Sequence, residues 1–262
     1  MRLLPTLSLS LRGLLLAAAL LLSPTASAAG SGLRRAKELS IQEQYELGLR
    51  YMKRGYYAKA LETFNRIRNY HRDDPLAVKA ELAVADVYYR KSEWDQARLA
   101  YDDFMRMHPR NPDLDYVTWR MGQSLYRKAP KVAARDQTWT RQAVNTWSGF
   151  DARFADSQYK DDVDRRLGEC RERLARKELL IAEFYVRRKA WRAVAGRAEG
   201  LVHTFPDSLA AQEAWTLLAT ASAHRGDATT LEQALGAVSE RDASQGARLR
   251  QKLAHVEPVE EP

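Results

Sequence analysis

A chain of 262 residues with 45% hydrophobic content can bury a sizeable core, and its 29% charged residues are interspersed rather than blocked, which excludes a disordered polyelectrolyte. The net charge of +8 comes from 42 Lys+Arg against 34 Asp+Glu, with acids among the bases nearly everywhere, so no basic run of the kind that tracks nucleic acid stands alone. The single cysteine, Cys170, excludes an internal disulfide framework and a thiolate metal cluster.

Arg2 and Arg12 bracket a leucine-rich start, Leu14 to Leu22 form an apolar core, Pro24 breaks it, and Ala26-Ser27-Ala28 has the small-x-small form that signal peptidase reads. Residues 1–28 are expected to be a secretory signal cleaved near Ala28, because the apolar run is shorter than the roughly 20 residues that span a bilayer. The mature chain is then expected to be soluble outside the cytoplasm. Residues 29–40 read as a flexible basic leader.

Beyond the leader the chain repeats itself. "ALETFNRIRNYHRDDP" (Ala60 to Pro75) and "ARLAYDDFMRMHP" (Ala97 to Pro109) share a small residue, an aromatic four positions on, an apolar residue three further and a proline beyond. This is the second helix of a tetratricopeptide unit, in which small residues let two helices approach, large ones fill the space between pairs, and proline stops the helix. Gly48, Tyr51, Tyr57, Ala60, Phe64 and Ile67 mark the first unit; Ala85, Tyr88, Trp94, Ala97, Tyr101 and Phe104 mark the second. Gly122, Leu125, Ala143, Trp147 and Phe150 form a third, stretched between its two helices by "YRKAPKVAARDQTWT". Ala182, Tyr185, Trp191, Val194, Ala198 and Leu201 form a fourth, and Ala219, Ser222, Leu231, Leu235 and Val238 a degenerate fifth. The expectation is an all-α tetratricopeptide-repeat solenoid of about five helix pairs, with repeats 1–3 over residues 41–160 and repeats 4–5 over residues 161–250. Breaks fall at Pro75, Pro109, Pro112 and Pro206, with Ser157 and Ser208 as expected caps, and residues 251–262 read as a frayed acidic tail.

No catalytic or cofactor motif appears. His71, His108, His203, His224 and His255 show no ligand spacing, and there is neither a phosphate-binding glycine loop nor a nucleophile elbow. No enzyme, cofactor or metal is expected. A solenoid instead offers the surface lined by its first helices to extended or helical peptides. By the register above, that groove holds Tyr45, Leu49, Met52, Leu82, Asp86, Tyr89, Arg90, Tyr116, Trp119, Gln123, Tyr126 and Arg127. Aromatic faces suit an apolar or aromatic side chain and the planar arginine fork suits a carboxylate, so the ligand expected is an extended peptide with an aromatic C-terminus. A second candidate surface is the basic fourth unit, with Arg187, Arg188, Arg192, Arg197 and Glu199 around its turns.

Over roughly Gln42 to Arg241 the chain resembles the BamD family, the tetratricopeptide component of the machinery that folds β-barrels into the bacterial outer membrane. The resemblance rests on "NPDLDYVTWRMGQSLY" (Asn111 to Tyr126), "RFADSQY" (Arg153 to Tyr159) and "AEFYVRRKAWRAVAGRAEGLVHTFPDS" (Ala182 to Ser208). It implies a non-enzymatic scaffold, peripheral on the inner face of the outer membrane. The N-terminal half would receive C-terminal segments of unfolded barrel proteins, and the C-terminal half would dock to the periplasmic domains of BamA and other Bam subunits. Two departures stand out. The lipid-bearing cysteine of the family is replaced by Ala28, Ala29 and Gly30, and the insertion in the third pair is shortened while keeping Arg135-Asp136-Gln137. The alternative is a CpoB-like periplasmic adaptor of the Tol-Pal, cell-division or peptidoglycan machinery. Such proteins carry an N-terminal coiled coil, for which this leader is too short.

Overall fold

Helix starts follow local chemistry. Ser40 and Glu43 form a reciprocal capping box ahead of α1 (Ile41–Lys53). Asp74 accepts from the Leu76 amide, with Pro75 as the first residue of α3 (Pro75–Arg90). The Ser208, Asp227 and Asp242 side chains cap α10 (Leu209–Arg225), α11 (Ala228–Arg241) and α12 (Ala243–Leu253). The other elements are α2 (Tyr57–Tyr70), α4 (Trp94–Met107), α5 (Leu114–Lys128), α6 (Thr138–Trp147), α7 (Phe150–Arg153), α8 (Lys160–Val186) and α9 (Trp191–Thr204). The computed structural model describes residues 39–259, and no strand occurs among them. The expected secretory signal, most of the leader and the last three residues lie outside that range.

Successive helices pack in antiparallel pairs, α1 with α2, α3 with α4, α5 with α6, α8 with α9 and α10 with α11, and each pair stacks on the next. The array from Leu39 onward forms one compact unit. Small-to-large matching holds each pair together. Gly48 faces the buried ring of Phe64, and Gly122 faces the buried indole of Trp147, each so closely that a Cβ would overlap the ring. The interval from Gly48 to Phe64 recurs from Ala85 to Tyr101, from Ala182 to Ala198 and from Ala219 to Leu235, and these residues are buried in every pair. The tight turn inside each pair except the third contains one left-handed residue: Gly55, Ser92, Lys189 or Gly226.

The third pair is joined instead by a longer loop organised from within. Gln137 is fully buried, and its amide donates to the carbonyl of Val132 at 2.9 Å. Arg173 and Lys177 of α8 reach the carbonyls of Pro130 and Arg135, both at 3.4 Å, and so tie the loop to the next unit.

Some sequence expectations are corrected here. Ser157 does not cap α8; its hydroxyl donates to Asp115 Oδ2 at 2.7 Å and accepts from the Tyr159 amide, fastening the turn to α5. The chain beyond residue 251 is ordered to residue 259. α12 continues to Leu253, Leu249 and Leu253 are buried, Val256 packs on the same core, and the Val259 amide donates to the His224 carbonyl at 2.8 Å. An apolar stripe on α12 thus closes the last pair, as a terminal repeat must. Cys170 is buried in the core beside Trp147 and Phe150, and burial pushes its thiol up to about 11, leaving it inert.

Candidate peptide-binding face

On α5 the residues Tyr116, Trp119, Arg120 and Gln123 fall at i, i+3, i+4 and i+7, so they share one face of the helix. That face meets α3 on one side and α8 on the other. Tyr116 and Tyr101 both donate to Asp86 Oδ1, at 2.7 and 2.6 Å. The Tyr89 hydroxyl donates to Gln123 Oε1 at 2.7 Å, and the Gln123 amide donates onward to Asp162 Oδ2 at 2.8 Å. Asp162 also accepts from Trp119 Nε1 at 2.7 Å and Arg166 Nε at 2.9 Å. Trp119 stacks on Tyr159 with ring centroids 4.3 Å apart. Arg120 lies over the rings of Trp119, Tyr89 and Tyr116, at 4.3, 4.7 and 5.3 Å. One polar and aromatic network therefore runs through the second, third and fourth pairs.

Its two carboxylates are held oppositely. For Asp162 burial favours the neutral form, but the hydrogen bonds from Arg166, Trp119 and Gln123 outweigh it and keep the carboxyl well below the usual range. For Asp86 burial wins over the hydrogen bonds of Tyr101 and Tyr116 and the charges of Arg120 and Arg90, so its value is raised. A carboxyl raised in the fold contributes fully below its unfolded value of about 4 and loses that contribution as pH climbs through the raised value. Asp86→Asn, which cannot ionise, should therefore gain stability relative to the parent as pH rises from about 4 towards neutrality. Thermal midpoints of both proteins across that range check this; a constant difference would refute it.

Of the residues expected in the groove, Asp86, Tyr89, Tyr116, Trp119 and Gln123 are brought together. Tyr45 joins their edge, half-buried against Phe64, its phenol raised by burial and by the charges of Asp86 and Asp113. Met52 packs on the core of the first pair. Tyr126 sits apart, with its hydroxyl on Glu169 and its ring under Arg166 and Arg173. Arg90 and Arg127 are exposed, outside the hydrogen-bonded cluster. The arginines inside it, Arg120 and Arg166, were missed, although the spacing of Arg120 from Tyr116 and Gln123 marked it.

The basic surface of the fourth pair divides similarly. Arg187 and Arg188 occupy the turn between α8 and α9, with Arg188 3.6 Å over the exposed ring of Phe184, and Arg192 and Glu199 are exposed on α9. Arg197 is engaged with Glu178 at 3.2 Å. Among the described residues no group of His, Cys, Asp and Glu could hold a metal, and no helix is long and apolar enough to cross a membrane.

The family model described as "YfiO: Outer membrane lipoprotein" matches residues 37–235, from the start of α1 into α11. The chain belongs to this YfiO family. Its relatives include the outer membrane protein assembly factor BamD of Xylella fastidiosa strain 9a5c, 28% identical over 205 residues, covering 75% of this chain and 70% of that protein. The BamD of Pasteurella multocida is 27% identical over 208 residues, covering 75% and 79%. That of Neisseria meningitidis serogroup B is 25% identical over 191 residues, covering 70% and 72%. Among solved structures, a thermophilic TPR protein of Thermus thermophilus is similar over 82% of this chain and 97% of that one, with 18% identity and a TM-score of 0.34. In this member of the YfiO family the matched region contains the whole Asp86–Arg120–Asp162 network and the Arg187–Arg192 turn.

Proposed function

We propose that the chain is a non-enzymatic periplasmic scaffold of outer-membrane β-barrel assembly, acting at the inner face of the outer membrane within a Bam complex. The observation that carries this reading is the family match over residues 37–235, whose relatives are named assembly factors. In this reading residues 41–160 receive C-terminal segments of unfolded barrel proteins on the face containing Tyr45, Asp86, Tyr89, Tyr116, Trp119 and Gln123. Residues 161–250 dock to the periplasmic domains of BamA. Stacked rings beside a fixed guanidinium support the first role, since they suit an extended chain of alternating side chains. The exposed Phe184 ring among Arg187, Arg188 and Arg192 supports the second, because an aromatic anchor with flanking arginines is the usual composition of an interface centre.

Co-purification from envelope extracts tests the assignment. Recovery of BamA is expected, whereas recovery of Tol-Pal components in its place would transfer the protein to the cell-division adaptors. Reversing Arg188 and Arg192 to Glu should weaken binding to purified BamA periplasmic domains, most of all at low salt, and leave helix content unchanged. Equal affinity of the double variant would remove the docking surface from this turn.

A further inference from the structure

We propose that Arg120 reads the free C-terminal carboxylate of an extended peptide lying along the α3–α5–α8 face; the inference rests on the peptide-binding reading above. Arg120 is half-buried between three aromatic rings, and its two hydrogen bonds go to neutral acceptors: Nε to the Tyr116 hydroxyl at 3.1 Å and Nη1 to Gln123 Oε1 at 3.4 Å. No carboxylate of the described residues pairs with it directly.

The two nearby acids are each one side chain away and already engaged. Asp86 takes the hydroxyls of Tyr101 and Tyr116, and Asp162 takes Trp119, Gln123 and Arg166. Tyr116 and Gln123 therefore act as spacers that orient the guanidinium without placing a carboxylate in direct contact with it. A planar fork fixed in this way has already lost its rotamer freedom and part of its hydration, so little further ordering opposes its meeting a carboxylate. Arg90 and Arg127 would have to be ordered from solvent, where an ion pair contributes little. A residue serving only to glue repeats together would be expected to meet Asp86 or Asp162 directly.

The test uses the full mature chain and a synthetic peptide of about ten residues, the length of one barrel strand, alternating polar and apolar and ending in phenylalanine. The peptide is made as the free acid and as the C-terminal amide. The acid should bind about tenfold or more tightly than the amide, as expected for loss of a charge-assisted hydrogen bond. That difference should collapse in Arg120→Gln and shrink in Arg120→Lys. Equal binding of acid and amide to the parent protein would overturn the inference and leave peptide binding standing, as would a difference that persists in Arg120→Gln. Failure of both peptides to bind the parent would overturn the peptide-binding reading itself, and the inference with it. The acid and amide comparison on the parent chain alters no protein residue, so it holds even if an Arg120 variant folds poorly.

Discussion

Asp162→Ala is expected to destabilise the protein by about 3 kcal/mol, the largest effect of any single polar substitution on the α3–α5–α8 face. Four donors from two helices converge on this carboxylate: the Trp119 indole, the Gln123 amide and the Arg166 guanidinium on Oδ2, and the exposed Arg165 guanidinium on Oδ1. Each buried donor left without a partner costs about 1–3 kcal/mol. Because Asp162 keeps 28% of its side chain exposed, water will recover part of that loss, which places the total near the bottom of the range for a broken buried ion-pair network. The carboxyl is held well below its ordinary value. Its contribution is therefore complete above the unfolded value of about 4 and fades only as pH falls further. The gap between parent and variant should be flat from about pH 5 upward, opposite to the behaviour expected of Asp86→Asn. Chemical denaturation at several pH values measures it, and a loss under about 1 kcal/mol would mean that solvent replaces the carboxylate.

The second large effect is steric. A Cβ on Gly122 would stand 2.2 Å from both Cε2 and Nε1 of Trp147, a side chain with no exposed surface. The indole is a rigid bicycle packed among Leu125, Ala143 and Phe150, so the overlap must be relieved by moving α5 away from α6. Overpacking of this kind costs about 1–3 kcal/mol, and Gly122→Ala should reach the upper part of that interval. Gly48→Ala, where the contact is 2.6 Å to the smaller ring of Phe64, should cost less. Gly168→Ala serves as the contrast. Nothing lies within 4 Å of a Cβ there, so the better helix former should add about 0.5–1 kcal/mol. Thermal midpoints of the three variants give the order, and a Gly122→Ala protein as stable as its parent would refute the close-packing account.

The pairing of helices was legible because it is written in residue size. Gly48 with Phe64, Ala85 with Tyr101 and Gly122 with Trp147 are pairs that backbone approach demands, and they can be read without coordinates. The arginine of the network was harder to find for a geometric reason. Tyr89–Arg90 and Tyr126–Arg127 look like ready-made aromatic and cationic pairs, yet neighbours on a helix point about 100° apart, so one member of each must leave the face the other occupies. Arg120 shares a face with Tyr116 and Gln123, but its partnership with Tyr89 and its separation from Asp162 are tertiary facts. Ser157 showed the same limit. A serine before an acidic helix start reads as a cap, and only the approach of Asp115 from α5 gives its hydroxyl another partner.

α8 is one uninterrupted helix of 27 residues, about 40 Å long at the usual rise. Its first turns pack against α6, and its last turns pack against α9 and α10. Most repeat arrays can be cut between any two units, because each contacts only its neighbours and melts with some independence. Here the obvious seam, between the third and fourth pairs, is spanned by a covalently continuous rod. The third and fourth pairs therefore share one element, and any force on the last turns of α8 acts along the same rod that carries Asp162 in its first turn.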